Sequence, residues 1–326
     1  MGPQAAGDAG PLVSMVVTTY RAVDHLGCLV RGLLRRPPDP DLEVVIYGDG
    51  GGEPSRAAIE ACRQALASAG HRVVARYEPV NRGIVPALNA ACRLAAGRWL
   101  FVVNDDMVFA DGWLDEVRPA LAPGRVLSVT CAEPPLPGRR IAAVTHARDL
   151  GLDPTAFDYE ALQRFCREAP GDGLAPGVHY PFLVERARYE ELGGADEGFP
   201  GPYHDPDLFL RFRLRGLELV RLRRCLAYHF SGVSLRFTPG EAGPAAPPAS
   251  ARQGLTWVRK ENAARLHFVR KWGAKPRAPF GEVPGTRASA PWAERAHGPG
   301  ERLAYLGLLA WEWTRCRVRE LARRGR

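Results

Sequence analysis

The chain has 326 residues, 46% of them hydrophobic, and 44 Lys and Arg residues against 36 Asp and Glu residues give it a formal net charge of +8. This composition excludes intrinsic disorder of the whole chain and is typical of one large globular domain, with or without an appendage. No apolar stretch approaches the roughly 20 residues that a membrane-spanning helix needs. The first 250 residues contain no run of five or six basic residues, so we expect neither a membrane span nor a nucleic-acid partner.

Strand and helix patterns alternate along the first 130 residues. Apolar, β-branched runs predict strands at 14–19, 42–47, 72–77 and 99–103, and the stretches between them predict helices at 26–34, 55–69 and 84–96. Strands that alternate with helices of this length form crossover units, which build a parallel sheet with both faces covered. This part of the chain is therefore predicted to be an open α/β layer that binds a nucleotide.

The rest of the chain is less regular. Its patterns predict strands at 180–184 and 217–228 and helices at 187–192, 205–214, 255–272 and 301–324. Two segments rich in Pro, Gly and Ala separate these last helices from their neighbours, at 239–251 and 276–299. The composition of the first segment predicts a mobile loop, and we expect the loop at 237–251 to fold over a bound diphosphate.

Polar residues follow each of the four strands predicted in the first part, where ligands bind in sheets of this kind. They are Thr18, Thr19 and Tyr20, then Asp49, then Asn81, and finally Asn104, Asp105 and Asp106. Carboxylates at a strand end suit a divalent cation that holds a diphosphate. A turn in which Asn and Asp side chains bond local backbone amides is the alternative.

Two further motifs lie in the second part of the chain. Asp205 and Asp207 begin a predicted helix, where capping accounts for one acid but does not demand both. His229 ends a predicted strand, and a lone His in such a place is usually an ordinary core or surface residue. Together with Asp106 it becomes a candidate ligand for Mn2+ or Mg2+.

In their order and spacing these motifs resemble the family 2 glycosyltransferases, which are inverting enzymes of the GT-A fold. The resemblance covers about residues 13–273 and includes Ala96-Gly97-Arg98-Trp99, Glu191-Leu192-Gly193-Gly194 and Lys271-Trp272-Gly273. It implies an open, mostly parallel twisted sheet of the Rossmann-like kind with helices on both faces, plus a C-terminal helical appendage. The chain departs from the family pattern at Gly48, where many members have Asp, and at His204, where Glu usually precedes the base.

The resemblance also implies roles for the matching residues. Asp106 corresponds to the direct metal ligand, His229 to a second ligand that reaches the metal, and Asp205 to the catalytic base. The residues expected to bind the nucleotide sugar lie at the predicted strand ends: Thr18, Thr19, Tyr20, Asp49, Asn81, Asn104 and Asp105. Among them, Asp49 is expected to hydrogen-bond the pyrimidine base, Thr19 to line it, and Asn104 to lie near the ribose.

The implied reaction moves a sugar from a nucleoside-diphosphate sugar, UDP- or dTDP-linked by preference, to a hydroxyl group of a glycan, lipid-linked or other acceptor. Residues 1–130 would bind the nucleotide sugar, and residues 131–273 would bind the acceptor and supply the base. Residues 274–326 would form a Pro-rich link and a basic amphipathic helix. A catalytically degenerate glycan-binding or scaffold protein on the same fold is the alternative.

The predicted C-terminal helix carries an apolar stripe, from Leu303 to Trp313, and several Arg residues beyond it. Such a helix fits an anionic membrane surface, and packing of the stripe onto the domain is an equally good interpretation. Seven widely spaced cysteines without a Cys-x-x-Cys pair indicate free thiols in a reducing compartment. The sequence thus favours a cytoplasmic protein, with peripheral contact to the inner membrane face through residues 301–326.

Overall fold

The computed structural model describes residues 10–135, 145–230, 255–275 and 290–324. Its strands form one ten-stranded sheet. They are β1 (Val13–Thr19), β2 (Leu42–Asp49), β3 (Arg72–Glu78), β4 (Trp99–Asn104), β5 (Met107–Phe109), β6 (Arg125–Glu133), β7 (His146–Ala147), β8 (Leu174–Pro176), β9 (Phe182–Glu185) and β10 (Glu218–His229).

The strand order in the sheet is β3-β2-β1-β4-β9-β6-β10-β5, with β7 beside β6 and β8 beside β10. The first four of these strands are parallel to one another. Because β9 is antiparallel to both β4 and β6, and β10 is parallel to β6, the strands β6 and β10 point the same way as β4. The sheet is therefore mixed but mostly parallel.

Nine α-helices lie in the described ranges. They are α1 (Val23–Leu33), α2 (Gly52–Ser68), α3 (Ile84–Leu94), α4 (Trp113–Val117), α5 (Tyr159–Glu168), α6 (Arg186–Glu191), α7 (His204–Leu214), α8 (Leu255–Trp272) and α9 (Pro299–Arg324). A helix that connects two parallel strands has to run back along one face of the sheet. These helices therefore cover the faces of the sheet.

The hydrophobic core lies on both faces of the sheet. Successive side chains of β1 point to opposite faces, so Met15 and Val17 pack with α1 and α2 while Val16 packs with α3. The second face also takes up apolar residues of α7 and α8, including Phe268 and Trp272, which are fully buried. Residues 255–275 are thus part of the domain core rather than a separate unit.

The structure confirms the predicted α/β architecture with a C-terminal helical appendage. The strands and helices predicted at 14–103 are all present, and β5, β6, β7, β8, α4 and α5 are additional. All seven cysteines are buried and free, as expected. The predicted mobile loop at 239–251 lies outside the described residues. Within the described part of the chain, no helix combines the length and apolar composition that a bilayer crossing requires.

Candidate active site

Six strands of the sheet end at the same edge, because they all point the same way. Their last residues are Thr19, Asp49, Glu78, Asn104, Glu133 and His229. The turn after β4 leads into β5, whose Met107 pairs with His229 in an antiparallel register. The Phe230 backbone N–H also donates to the Asp106 carbonyl oxygen at 2.9 Å. This pairing brings Asp106 and His229, 123 positions apart in sequence, to one point.

The central group consists of a histidine between two carboxylates. His229 Nε2 lies 3.2 Å from Asp106 Oδ1, and His229 Nδ1 lies 2.7 Å from Glu133 Oε1. The Asn104 side-chain amide is 3.3 Å from the same Nε2. Burial lowers the pKa of His229, but the two neighbouring carboxylates more than offset this effect and raise the pKa to about 9.

These residues fit a hexacoordinate divalent cation. Two adjacent ligands of such an ion, at about 2.1 Å each, lie about 3 Å apart, and Asp106 Oδ1 and His229 Nε2 are 3.2 Å apart. Glu133 binds the other ring nitrogen, as second-sphere carboxylates do beside metal-bound histidines. In the described ranges, no three His, Cys, Asp or Glu side chains form a complete metal site. Phosphate oxygens and water would therefore have to complete the coordination, which is usual for Mg2+.

Asp105 connects the ends of β4 and β1. The Thr19 hydroxyl and the Tyr20 backbone N–H lie near its buried carboxyl group and favour the charged form. Burial and the neighbouring Asp106 carboxylate raise the pKa of Asp105 to about 7. Thr18 is paired in register with Asn104 on the adjacent strand. The structure thus brings together the predicted residues of these two strand ends.

Asp49 holds the loop that follows β3. Its two carboxylate oxygens accept the backbone N–H groups of Arg82 and Gly83, each at 2.8 Å, and the Asn81 side-chain amide donates to its backbone carbonyl oxygen at 2.8 Å. Each carboxylate oxygen keeps a second lone pair for another donor. Asp49 and Asn81 therefore form one unit at the same edge of the sheet.

The departure at Gly48 has a packing cause. A Cβ atom at this position would lie 2.2 Å from the Ile59 Cδ1 atom and 3.0 Å from the Tyr77 ring. A Cβ contact of 2.2 Å is not tolerated in a close-packed core, so the Ile59 side chain, whose terminal methyl group makes this contact, would have to shift before an Asp could enter. Gly48 thus leaves room for the Ile59 side chain of α2 against the end of β2.

Asp205 and Asp207 lie in the first turn of α7 but in different surroundings. Asp205 is half-buried, and no described side chain hydrogen-bonds its carboxylate; burial raises the pKa of this group. Asp207 is fully buried, and its oxygens accept from Arg211 Nε at 2.9 Å, Trp272 Nε1 at 2.9 Å and Lys271 Nζ at 2.8 Å. Only Asp205 is therefore available to a ligand.

The first part of the chain matches a known protein family. Residues 14–134 match the model described as Glycosyl transferase family 2. The match covers less than half of the chain and shows that this segment is similar to family 2 glycosyltransferases. The match begins in β1 and ends directly after β6, so it includes Asp49, Asp106 and Glu133. Among curated proteins, no sequence matches the chain.

The likeness to solved structures extends beyond the residues that match the family model. One is TarS from S. aureus, residues 1–349, in complex with UDP-GlcNAc: 13% identity, 79% of this chain and 66% of that chain covered, TM-score 0.51. Another is the mannosyltransferase PcManGT from Pyrobaculum calidifontis in complex with GDP-Man and Mn2+: 17% identity, 82% of this chain and 66% of that chain, TM-score 0.51. This chain spans just under two thirds of each. At these identities the likeness concerns the fold, and it confirms the GT-A type.

Glu133 is the residue of the site that the sequence analysis misses. It is the last residue of β6, and it reaches His229 because β6 and β10 are neighbouring parallel strands. The only signal in the sequence is its place after the run Val126-Leu127-Ser128-Val129-Thr130-Cys131-Ala132. That run is short and mostly apolar, as a fully buried strand is, and all of its residues are buried in the structure. The segment that matches the family model thus includes, next to its end, a residue that contacts the candidate metal ligand His229.

Proposed function

We propose that this protein is a metal-dependent, inverting glycosyltransferase that transfers a sugar from a nucleoside-diphosphate sugar to an acceptor hydroxyl group. The observation that carries the proposal is the contact of Asp106 with His229, backed by Glu133, at the edge where six strands of a family 2 sheet end. Ligands of open α/β sheets bind outside these carboxyl ends. The proposal therefore rests on two supports, the match to the family model and the chemistry of the residues at this edge of the sheet.

Asp106 and His229 are proposed to hold Mn2+ or Mg2+, with Glu133 orienting the imidazole. When bound, the cation would offset the negative charge that develops on the departing diphosphate. The similar mannosyltransferase was solved with Mn2+, which supports Mn2+ as the first ion to test. Asn104, whose amide contacts His229, is proposed to bind the donor next to the metal.

The nucleotide is proposed to lie against the ends of β1, β2 and β4. Asp49 keeps free lone pairs beside a loop that it fixes, and it would accept a hydrogen bond from the N–H of a uracil or thymine base. Thr18, Thr19, Tyr20, Asn81 and Asp105 would complete this part of the site. The similar structures contain UDP-GlcNAc and GDP-Man, so this fold accepts both kinds of base, and Asp49 supports UDP or dTDP here.

Asp205 is proposed to be the general base. Burial raises its pKa, which makes the carboxylate a better proton acceptor. The acceptor oxygen would bond to the anomeric carbon on the face opposite the diphosphate, the bond from that carbon to the phosphate oxygen would break, and the hydroxyl proton would pass to Asp205. A single displacement of this kind inverts the anomeric configuration.

The acceptor half of the site is proposed to lie in residues 131–273, around α7, and the donor half in residues 1–130. A glycan or a lipid-linked glycan would offer the hydroxyl group. A lipid-linked acceptor would require the enzyme to work at a membrane surface, and residues 301–326 are the part of the chain proposed to make that contact.

A donor screen tests the proposal. Purified protein is incubated with Mn2+ and a panel of UDP-, dTDP- and GDP-sugars, and release of nucleoside diphosphate is measured with and without simple sugar acceptors. We expect release from one or two donors in the wild type and none in Asp106→Asn. Tight donor binding without release in any mixture would support the degenerate glycan-binding alternative instead.

A further inference from the structure

The C-terminal helix α9 packs on the domain through its polar side. Glu312 is fully buried and forms an ion pair with Arg265 of α8. Arg319 Nη2 lies 2.7 Å from Glu261 Oε2, and the Asn262 side-chain amide donates to the Cys316 carbonyl oxygen at 3.0 Å. These contacts fix which side of α9 faces the protein.

The opposite side of α9 is apolar and exposed. We call it the outward face, and its apolar residues are Leu303, Leu306, Ala310, Trp311, Trp313, Val318 and Leu321. Leu303 is 71% exposed, Leu306 59% and Trp313 55%. In the described ranges of the chain, six of the eight exposed large hydrophobic residues lie on this face, and the other two, Val80 and Leu214, are on other elements. Surface helices normally bury their apolar side. In α9, Leu308 and Leu309 are half-buried and Cys316 is buried, but most of the large apolar residues are exposed.

Cations surround the outward face. Arg317 lies on it, with its guanidinium 5.8 Å from the Trp313 ring centroid, and Lys275 Nζ lies 3.6 Å from the Trp311 ring centroid. Arg302 is exposed at the beginning of the helix. Of the three acids of α9, Glu312 and Glu320 contact α8 on the inner side. The third, Glu301, is exposed and lies 3.7 Å from the His297 ring at the beginning of the helix. The outward face therefore combines exposed apolar side chains with positive charge.

We propose that the outward face docks the protein on an anionic lipid surface, with α9 lying in the plane of the headgroups. Tryptophans beside cations favour such an interface, because indole rings sit at headgroup depth while Arg and Lys reach lipid phosphates. A helix of 26 residues is about 39 Å long, so the apolar residues can enter the surface along one line.

A second copy of the chain is the weaker occupant for this face. Self-association through the outward face would bring two positively charged faces together, and like charges oppose such contact. Anionic lipid offers the complementary charge. The inference states where in the cell the proposed sugar transfer would take place. Its test does not depend on the proposed function, because lipid binding is measured without donor or acceptor.

Co-sedimentation of the full chain with vesicles tests the inference. Vesicles of phosphatidylcholine alone are compared with vesicles that contain about one quarter phosphatidylglycerol, at low and at high salt. We expect binding to the anionic vesicles only and a decrease with salt, because the attraction is screened over roughly 8 Å at physiological ionic strength.

Two double variants introduce the same negative charge, one on α9 and the other, as a control, on α2. Leu306→Glu with Trp313→Glu should weaken binding to anionic vesicles by about tenfold or more, because two carboxylates would face the lipid. Ala57→Glu with Ala61→Glu, on exposed positions of α2, should bind like the wild type. Circular dichroism and the thermal midpoint confirm that both double variants are folded.

Two outcomes would overturn the inference. One is wild-type protein that stays in the supernatant with anionic vesicles at low salt. If analytical ultracentrifugation then shows a wild-type dimer, and the double variant Leu306→Glu with Trp313→Glu is a monomer, the outward face joins two copies of the chain. The other is equal vesicle binding by both double variants. Tryptophan fluorescence gives a readout without substitution, since Trp311 and Trp313 should shift to shorter wavelength on anionic vesicles.

Discussion

The two acids of the first turn of α7 differ in what surrounds them, and this difference decides their roles. Asp207 is fully buried and bound by Arg211, Lys271 and Trp272. Asp205 carries a raised pKa, and no described side chain hydrogen-bonds its carboxylate. A carboxylate already satisfied by two cations is a poor proton acceptor, whereas a partly desolvated one is a good base.

Asp205→Asn should keep donor binding and lose transfer by about 10² to 10⁴-fold, the usual contribution of a general base. In the wild type, kcat should fall as the pH drops through the raised pKa of Asp205, because protonation removes the base. Measurement of kcat as a function of pH, together with calorimetry of donor binding, checks both statements. Loss of donor binding in the variant would point to a structural role for Asp205.

Asp207→Asn should act on stability rather than on chemistry. Its removal leaves Arg211 without its buried counter-charge, whereas Lys271 keeps the Asp196 carboxylate at 2.6 Å. Breaking a buried ion pair on one side costs about 3–5 kcal/mol. Urea unfolding should show this loss in the free energy of unfolding. An Asp207→Asn protein with wild-type stability and no activity would reverse the assignment of the two acids.

Glu133→Gln should weaken metal binding, because the carboxylate that orients His229 is lost. Substitution of such second-sphere groups typically costs about 10 to 100-fold in metal affinity. Calorimetric titration of Mn2+ in the presence of a nucleoside diphosphate measures this without turnover. Glu78→Gln, the same change at the end of β3, serves as the control and should bind Mn2+ like the wild type.

At the scale of elements, the sequence predicts the alternating strands and helices up to β4 because each has a clear local period. It does not predict that β9 enters the sheet antiparallel between β4 and β6, since strand order depends on contacts between distant segments. For this reason Asp106 and His229 can be paired only through the family resemblance, and Glu133 is missed. The spacing of apolar residues in α9 likewise predicts an apolar stripe. It does not predict which side of the helix packs against α8.

Glu312→Ala should loosen α9, because this buried acid pairs with Arg265 and lies within 4 Å of Lys275 and Arg315 cations. Hydrogen exchange should become faster across Pro299–Arg324 and stay unchanged in α3, which lies in the core. Thr314→Ala is the matched control, since among the described residues its hydroxyl group bonds within the helix, to the Ala310 carbonyl oxygen at 2.9 Å. Unchanged exchange in Glu312→Ala would mean that other contacts hold the helix.

At the scale of the whole molecule, the sheet gathers the carboxyl ends of six strands at one edge and leaves the C-terminal helix with an apolar, positively charged outward face. The first feature supports sugar transfer, and the second supports a location at a lipid surface. The net charge of +8 favours approach to both anionic lipid and an anionic nucleotide sugar.

The most direct test of the central claim is metal dependence at the site of Asp106 and His229. Release of nucleoside diphosphate from the preferred donor is followed in the wild type before and after treatment with a chelator, and then with Mn2+ or Mg2+ added back. We predict that turnover stops with the chelator, returns with the cation, and is absent in a folded Asp106→Ala protein at every metal concentration. Full turnover in the chelator, or wild-type turnover by Asp106→Ala, would contradict the proposed metal site.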